Sequence, residues 1–183
     1  MSSAGQIMAS DSMPAVTMEE AQWYAIQTRP NHEKKVVAEL DRKALTTYLP
    51  LVEQVHRWSD RFKVVQVPLF SGYAFVHAVA SPSVRLSVLQ VWGVLGFVGP
   101  QKQALPIPAN QVEDIRRLLA SNVPFAWYPF PRVGQRVRVH GGCLDGTEGI
   151  LVDRQGDRRF VIAVDAIERS LSISIEGYKV VPI

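Results

Sequence analysis

The stretch RPNHEKK, residues 29–35, gathers side chains that are well suited to bind phosphate. It places Arg29, His32, Lys34 and Lys35 where a strand ends and a helix is predicted to begin. Guanidinium and ammonium groups bind phosphate oxygens, and the free amides of a helix start can assist them. The same spacing also fits an ordinary solvated helix face, so the pattern leaves both interpretations open.

A second basic segment, HRWSDRFK at residues 56–63, adds an aromatic ring to the positive charge. Arg57 and Arg61 flank Trp58, on which an unpaired base could stack. A polar hairpin tip would have a similar composition. Residues 21–120 contain twelve Lys or Arg against seven Asp or Glu, although the whole chain carries only +3. This surplus makes nucleic acid a candidate partner of the middle of the chain.

The stretch PLFSGYAFV, residues 68–76, poses a different question. Tyr73 and Phe75 are two residues apart and therefore share one face of a predicted strand. Ala74 and Val76, on the opposite face, suit a packed core. The aromatic pair fits either a second core face beneath a helix or a surface for another molecule, and the period alone does not decide between them.

The sequence contains no constellation that requires catalysis to explain it. Its four histidines lack the H-E-x-x-H spacing, and no G-x-x-x-x-G-K-[ST] phosphate loop occurs. His140 and Cys143 are close in sequence, but the glycines around them predict a turn with an incidental cysteine. Because Cys143 is the single cysteine, an intramolecular disulfide and a cysteine-based zinc site are excluded. We predict no catalytic residue, no metal and no cofactor.

Composition and the first residues favour a two-domain protein of the cytoplasm. The 183 residues are 47% hydrophobic and 20% charged, and the apolar runs are too short to span a membrane. Residues 1–20 lack the basic start and apolar stretch of a signal peptide and are predicted to be a disordered tail. A single cysteine and no export signal indicate a reducing compartment.

Hydrophobic periodicity divides the remainder into an α+β part and an all-β part. Over residues 21–120, strands joined as hairpins alternate with helical patterns, which predicts an antiparallel sheet flanked by helices. Pro50 is expected to interrupt a strand over residues 46–58, and Ser81 before Pro82 suits a helix start. Asn110 is the predicted N-cap of the last helix. Residues 121–131 carry three prolines and four aromatics and are predicted to be a linker. Residues 132–183 contain five short strand patterns, which predict a small five-stranded barrel.

The order of these motifs resembles the NusG family of bacterial transcription elongation factors. WYAIQTRPNHEKKV, YLPL, RWSDR, VPLFSGYAFV, GVLGFVG and PIPANQVEDI resemble its N-terminal domain, over roughly residues 22–120. VGQRVRVHGGCLDGTEGIL resembles the KOW motif that opens the family's C-terminal, SH3-like barrel. TRPNHEKKV with RWSDR is most similar to the specialised RfaH-like and UpxY-like antiterminators. Ser71 departs from the proline common at its position, which could alter the turn.

The resemblance implies a non-enzymatic, monomeric elongation and antitermination factor that holds the RNA polymerase clamp closed and suppresses pausing or termination. Its KOW barrel would recruit a small-subunit ribosomal protein or Rho. The aromatic motif that docks on the clamp helices of the largest polymerase subunit is matched by Phe70, Tyr73 and Phe75. The residues expected to face upstream or non-template DNA are Arg29, His32, Lys35, Arg57, Trp58 and Arg61.

Two alternatives stay open at the level of sequence. The chain could instead be an RNA-binding or ribosome-associated KOW protein whose N-terminal domain is an accessory. The aromatics of the linker could pack only on the neighbouring helix and strand. They could also hold the barrel over Tyr73 and Phe75 until a partner releases it, as happens in some specialised relatives.

Overall fold

The structure, a computed structural model, describes residues 20–57, 61–131, 134–154 and 157–183. Within these ranges the helices are α1 (Glu33–Arg42), α2 (Pro82–Leu89) and α3 (Ala109–Ser121). The strands are β1 (Gln22–Thr28), β2 (Thr46–Tyr48), β3 (Leu51–Arg57), β4 (Phe62–Pro68), β5 (Tyr73–Ala78), β6 (Val94–Phe97), β7 (Pro106–Ile107), β8 (Ala126–Tyr128), β9 (Gln135–His140), β10 (Glu148–Arg154), β11 (Asp157–Val164), β12 (Arg169–Ser174) and β13 (Lys179–Pro182).

The N-terminal half is built on an antiparallel sheet with strand order β2-β5-β1-β6, and β7 also pairs with β1. The register of β1 against β5 sets Ala25 opposite Phe75 and Ile26 opposite Ala74. Since successive residues of a strand face opposite sides, this register sorts the side chains into two apolar layers. The predicted α+β class with antiparallel sheets is confirmed.

Different helices cover the two faces of this sheet. On the α1/α2 face, Ile26 and Val76 pack in one buried cluster with Leu40 of α1. On the α3 face, Phe75 belongs to a second buried cluster with Ile115 of α3. The alternation that the sequence shows at residues 73–76 therefore corresponds to two packed faces.

The two later helices begin in different ways. Ser81 caps α2 as predicted: its hydroxyl accepts a hydrogen bond from the Val84 amide at 3.3 Å, and Pro82 occupies the first turn. Helix α3 begins at Ala109, after Pro108, and has no side-chain cap. The predicted N-cap at Asn110 is wrong, because the Asn110 amide instead donates to the Glu148 carboxylate in β10 at 3.0 Å. A partner distant in the sequence has replaced the local cap.

Strands β3 and β4 form a two-stranded ribbon of their own, after the interruption predicted at Pro50. Val55 lies opposite Val64, and Phe62 lies opposite Arg57 on the same face. All four side chains are exposed. Lys34 of α1 ties the ribbon to the N-terminal sheet domain by donating from Nζ to the Gln66 carbonyl at 2.6 Å.

The C-terminal region is an antiparallel sheet with strand order β13-β9-β10-β11-β12-β8. The five predicted strands are present as β9 to β13, and alternating side chains such as Val137 and Val139 are buried. A further strand was not predicted: β8 lies inside residues 121–131 and pairs Trp127 with Leu171 of β12. The segment predicted as a linker thus contributes a strand to this C-terminal sheet.

At two positions of the C-terminal region, steric constraints explain why the residue is glycine. Gly146 has φ +78, a left-handed conformation that favours glycine. Gly149 lies opposite Val137, and a Cβ there would approach the Val161 carbonyl oxygen to 2.6 Å and the Phe160 ring to 2.7 Å. The backbone of β10 therefore passes the neighbouring strand at a distance that excludes any side chain.

Among the described residues, no helix is long and apolar enough to cross a membrane.

Candidate docking face and basic cluster

The three residues predicted to dock a partner lie together on the α3 face. Phe70 and Phe75 are only 2% exposed, and Tyr73 is half-buried. The turn before β5 positions them: the Tyr73 amide donates to the Phe70 carbonyl at 3.1 Å, with Gly72 at φ +81 between them. The prediction that they dock RNA polymerase stays a prediction, and most of their surface is covered in this arrangement.

Ring contacts extend from these residues in both directions and form what we call the aromatic row. Trp23 contacts Tyr48 (centroids 6.5 Å apart), and Tyr48 stacks on Phe75 at 6.2 Å. Phe75 meets Phe70 edge-on at 6.2 Å, and Phe70 meets Trp127 edge-on at 5.8 Å. The row thus runs from β1 to β8, which belongs to the C-terminal sheet.

Sequence reasoning missed Trp23 and Tyr48 as members of this row. Tyr48 joins the row because it lies opposite Phe75 in the sheet, and the sequence alone does not reveal that pairing. Arg116 of α3 covers both residues, with its guanidinium carbon 5.1 Å from the Trp23 centroid and 4.5 Å from that of Tyr48. Burial raises the pKa of Tyr48 to about 12, and the neighbouring Arg116 charge opposes part of that shift.

Helix α3 also meets the C-terminal sheet through polar contacts, which we call the polar seam. Gln111 makes two of them with Asp165: its amide nitrogen donates to the carboxylate at 2.7 Å, and its amide oxygen accepts from the Asp165 backbone at 3.1 Å. The other members on α3 are Asn110, Asp114 and Arg117, and those on the C-terminal side are Thr147 and Glu148.

Asp114 is the buried acid of the polar seam, with 3% of its surface exposed. Its carboxylate accepts from the Glu148 amide at 3.3 Å and from the Arg117 guanidinium at 3.4 Å, and Arg117 also donates to the Thr147 hydroxyl at 3.3 Å. Burial raises the pKa of Asp114 to about 6, since these contacts compensate only part of the cost of removing the charge from water. The seam therefore contains a group that titrates near neutrality.

Two side chains of the RPNHEKK stretch, Arg29 and His32, contact a ring that the sequence did not single out. The Arg29 guanidinium lies over Trp92, 5.3 Å from its centroid, and the His32 ring contacts Trp92 edge-on at 4.6 Å. Lys35, one helical turn on from His32, is exposed. We call Arg29, His32, Lys35 and Trp92 the basic cluster.

Two other predicted nucleic-acid residues lie on or beside the β3–β4 ribbon. Arg57 ends β3, and Arg61 directly precedes β4; both are exposed. Trp58 lies outside the described residues. Lys34 links the ribbon to α1, the helix that carries Lys35.

The described residues hold no group of three or more His, Cys, Asp or Glu side chains that could bind a metal. Cys143 is exposed, and its Sγ lies 3.3 Å from the Tyr178 hydroxyl.

Together these features define a protein with two modules, an α+β sheet domain with an aromatic face and a β-rich C-terminal unit. A family model described as "Transcription termination factor nusG" matches residues 21–116. The chain therefore belongs to the NusG family of transcription termination and antitermination factors, which are not enzymes.

Curated relatives extend the similarity over most of the chain. The chain is 25% identical to the transcription termination/antitermination protein NusG of Borreliella burgdorferi over 177 residues, which cover 84% of this chain and 94% of that protein. It is 26% identical to NusG of Thermus thermophilus over 180 residues, which cover 87% and 97%. Among solved structures, one titled "Domain interaction in Thermotoga maritima NusG" aligns with a TM-score of 0.52 at 19% identity and covers 87% of this chain and 97% of that one. The structural likeness shows the fold.

Proposed function

We propose that this protein is an elongation and antitermination factor that binds the clamp helices of the largest RNA polymerase subunit. The aromatic row carries the proposal. It brings Phe70 and Phe75 into one apolar surface of the sheet, and Tyr73 packs against the same cluster. Rigid aromatics provide large contact area at low entropic cost. A helical hairpin docked on this surface would hold the clamp closed and oppose pausing, which requires no catalytic group.

The second module would then recruit another protein. The KOW-like segment contains β9 and the start of β10. We propose that β9 to β13 form the family's small SH3-like barrel, which binds a small-subunit ribosomal protein or Rho. The RPNHEKK and RWSDR segments support assignment to the specialised RfaH-like or UpxY-like branch. The factor would act as a monomer in the bacterial cytoplasm.

We propose further that the described arrangement is a closed state in which polymerase binding is restrained. Trp127 of β8 packs against Phe70, and one buried cluster contains both Phe75 and barrel-side residues such as Phe160. The polar seam adds directional contacts between α3 and the C-terminal sheet. A partner that binds only the open state would shift this equilibrium by its differential affinity.

Basic residues would hold DNA beside the docked face. Arg29, His32 and Lys35 would contact upstream or non-template phosphates, together with Arg57, Trp58 and Arg61 of the ribbon region. Replacing Arg29 and Lys35 with Gln should lower the slope of log affinity against log salt by roughly 1.5 to 2 for DNA held by the polymerase-bound factor. An unchanged slope would assign both charges to solvation.

The docking proposal is tested with Tyr73→Ala, because Tyr73 is half-buried whereas Phe70 and Phe75 support the core. We expect polymerase core affinity to fall about thirtyfold, the equivalent of ~2 kcal/mol for an interface hot spot, with an unchanged melting temperature. Leu86→Ala, an exposed apolar change on α2, is the matched control and should bind like the parent.

A second experiment separates this proposal from a ribosome-associated role. Tagged full-length protein is recovered from lysate with and without ribonuclease. Polymerase core subunits that persist after ribonuclease treatment support the proposal. Ribosomal particles lost with the RNA, in the absence of polymerase, would instead identify an RNA-bound KOW protein.

A further inference from the structure

Trp92 is a large aromatic side chain in the turn between α2 and β6, and 61% of it is exposed. The turn that carries it is fixed on the N-terminal sheet domain. Val91 beside it is buried, and the Gly93 carbonyl accepts from the Arg29 amide at 2.8 Å. Gly93 has φ +100, and a Cβ there would lie 3.2 Å from the Cβ of His32. The exposed ring is therefore held by a tightly packed support.

Two side chains contact the ring and leave most of it exposed. The His32 ring meets it at 67° with centroids 4.6 Å apart, and the Arg29 guanidinium lies 5.3 Å from its centroid. An aromatic that is already oriented loses little conformational entropy when a ligand stacks on it. The arrangement is prepared for a flat ligand.

The charge around Trp92 favours an anionic ligand. Arg29 and Lys35 are exposed, whereas Glu33, the acid between them in sequence, is buried and accepts a hydrogen bond from the Gly72 amide at 2.7 Å. An exposed ring with the Arg29 guanidinium beside it, on a segment whose acid Glu33 is turned inward, matches the recognition of single-stranded nucleic acid, where bases stack and phosphates pair with cations.

We propose that Trp92 is a stacking platform for one unpaired nucleobase of a DNA single strand, with Arg29 and Lys35 on the neighbouring phosphates. This inference rests on the proposed nucleic-acid contact at Arg29, His32 and Lys35 and adds its specificity: the strand must be unpaired, because a duplex hides the faces of its bases. Trp92 makes the base contact, and His32 positions the ring.

The test measures binding of labelled DNA strands, each about twelve nucleotides long, to the full-length protein by fluorescence anisotropy at low salt. The strands are a pyrimidine single strand, the same strand with abasic sites, and the corresponding duplex. Trp92→Leu should weaken binding of the single strand by about 5- to 100-fold and leave the salt slope unchanged. The same change should have little effect on the abasic strand and the duplex. Trp92→Phe should restore most of the affinity, and Leu86→Ala should behave like the parent.

The outcomes separate this inference from the function on which it rests. If Arg29→Gln with Lys35→Gln lowers affinity and Trp92→Leu does not, stacking is overturned while the phosphate contact stands. If neither variant matters, or the parent binds no single strand, both are overturned. Equal losses on the normal and abasic strands would overturn stacking. So would a Trp92→Leu variant that keeps its DNA affinity but loses polymerase, since the ring would then contact protein.

Discussion

Both faces of the N-terminal sheet are apolar, and they differ in which residues complete them. On the α1/α2 face, the buried cluster consists of residues of the sheet and of its own helices, such as Ile26, Leu40 and Val88. On the α3 face, the cluster continues from Trp23 through α3 into the C-terminal sheet as far as Ile173. The α1/α2 face is completed by residues of its own module. The α3 face, which we call the shared face, is completed in part by the C-terminal sheet.

The two faces therefore differ in how they can be uncovered. A face covered by helices that are continuous with its sheet can be uncovered only by unfolding. A face shared with a second module can be uncovered by moving that module, which preserves both folds. The aromatic row lies on the shared face, so the surface that we propose for polymerase docking is also one whose cover a partner could replace.

The largest effect is expected from a substitution in the core of the α1/α2 face. Leu40→Ala removes a fully buried side chain of α1 and should lower the free energy of unfolding by about 2–5 kcal/mol. The hydrogen-exchange protection of the Glu148 amide, which donates to Asp114 across the polar seam, should fall only as far as global unfolding requires. Chemical denaturation and amide exchange measure the two quantities.

Leu144→Ala is the matched change on the shared face. Leu144 is also fully buried, in a short turn that contacts α3. Like Leu40→Ala, Leu144→Ala should lower the free energy of unfolding. It should also allow the Glu148 amide to exchange when the two modules separate, at a free energy below that of unfolding. If Leu40→Ala and Leu144→Ala changed exchange at Glu148 identically, the two faces would not differ in the way described.

The next effect concerns pH, through Asp114 in the polar seam. Its pKa is raised from 3.8 to about 6, so the closed arrangement binds this proton more tightly than a solvated Asp114 would. The contribution to closure is therefore complete below pH 3.8 and is lost as the pH rises through about 6. The limit is roughly 100-fold in the closed-to-open ratio, since each pKa unit corresponds to a factor of ten.

Other charged groups face Asp114 and bear on this prediction. Glu113 and Glu148 repel its carboxylate and Arg117 attracts it, while the hydrogen bond from Arg138 lowers the pKa of Glu148 and so favours the charged form of that group. The chemical shift of the Glu148 amide proton should titrate near pH 6 in the parent. In Asp114→Asn that titration should disappear. Its persistence would assign the pH dependence to another group.

Sequence periodicity predicted the elements that depend on local pattern. The strand alternation at Tyr73 and Phe75 and the Ser81–Pro82 helix start follow from backbone geometry and nearest neighbours, which a sequence contains. Asn110 and β8 were misjudged because a distant strand determines each one: β10 provides the acceptor for Asn110, and β12 provides the pairing edge for Trp127.

The candidate sites divide in the same way. Arg29 and His32 were singled out because they are neighbours in the chain. Trp92 was not, because it lies about sixty residues away in the sequence and meets them only in the fold, where Gly93 accepts a hydrogen bond from the Arg29 amide and the Trp92 ring contacts His32. Trp23 and Tyr48 joined the aromatic row through strand register. Local patterns predict which faces exist, whereas register and loop contacts determine which side chains meet on them.

A smaller effect sharpens the comparison at the aromatic row. Trp127 is 58% exposed, yet its inner edge packs against Phe70. Trp127→Ser should weaken the cover of the shared face and raise polymerase core affinity by about tenfold, which corresponds to ~1.4 kcal/mol. Binding is measured by titration of labelled full-length protein with polymerase core. Unchanged or weaker binding would show that Trp127 does not restrain the docking face.

The smallest effect distinguishes a cap from a contact at Asn110. As the second residue of α3, Asn110 donates to Glu148 in a largely exposed hydrogen bond, and the net value of such a bond is about 0.5–1.5 kcal/mol. Asn110→Ala should therefore reduce closure a few-fold, seen as faster exchange of the Glu148 amide. The melting temperature of the N-terminal module should stay the same or rise, because Ala has the higher helix propensity.

Asn110→Ser retains the capacity to cap a helix but loses the reach to Glu148, so it should open the seam like Ala. If Ser instead preserved stability while Ala lowered it, Asn110 would serve the helix end and the polar seam would lie wholly in Gln111, Asp114 and Arg117.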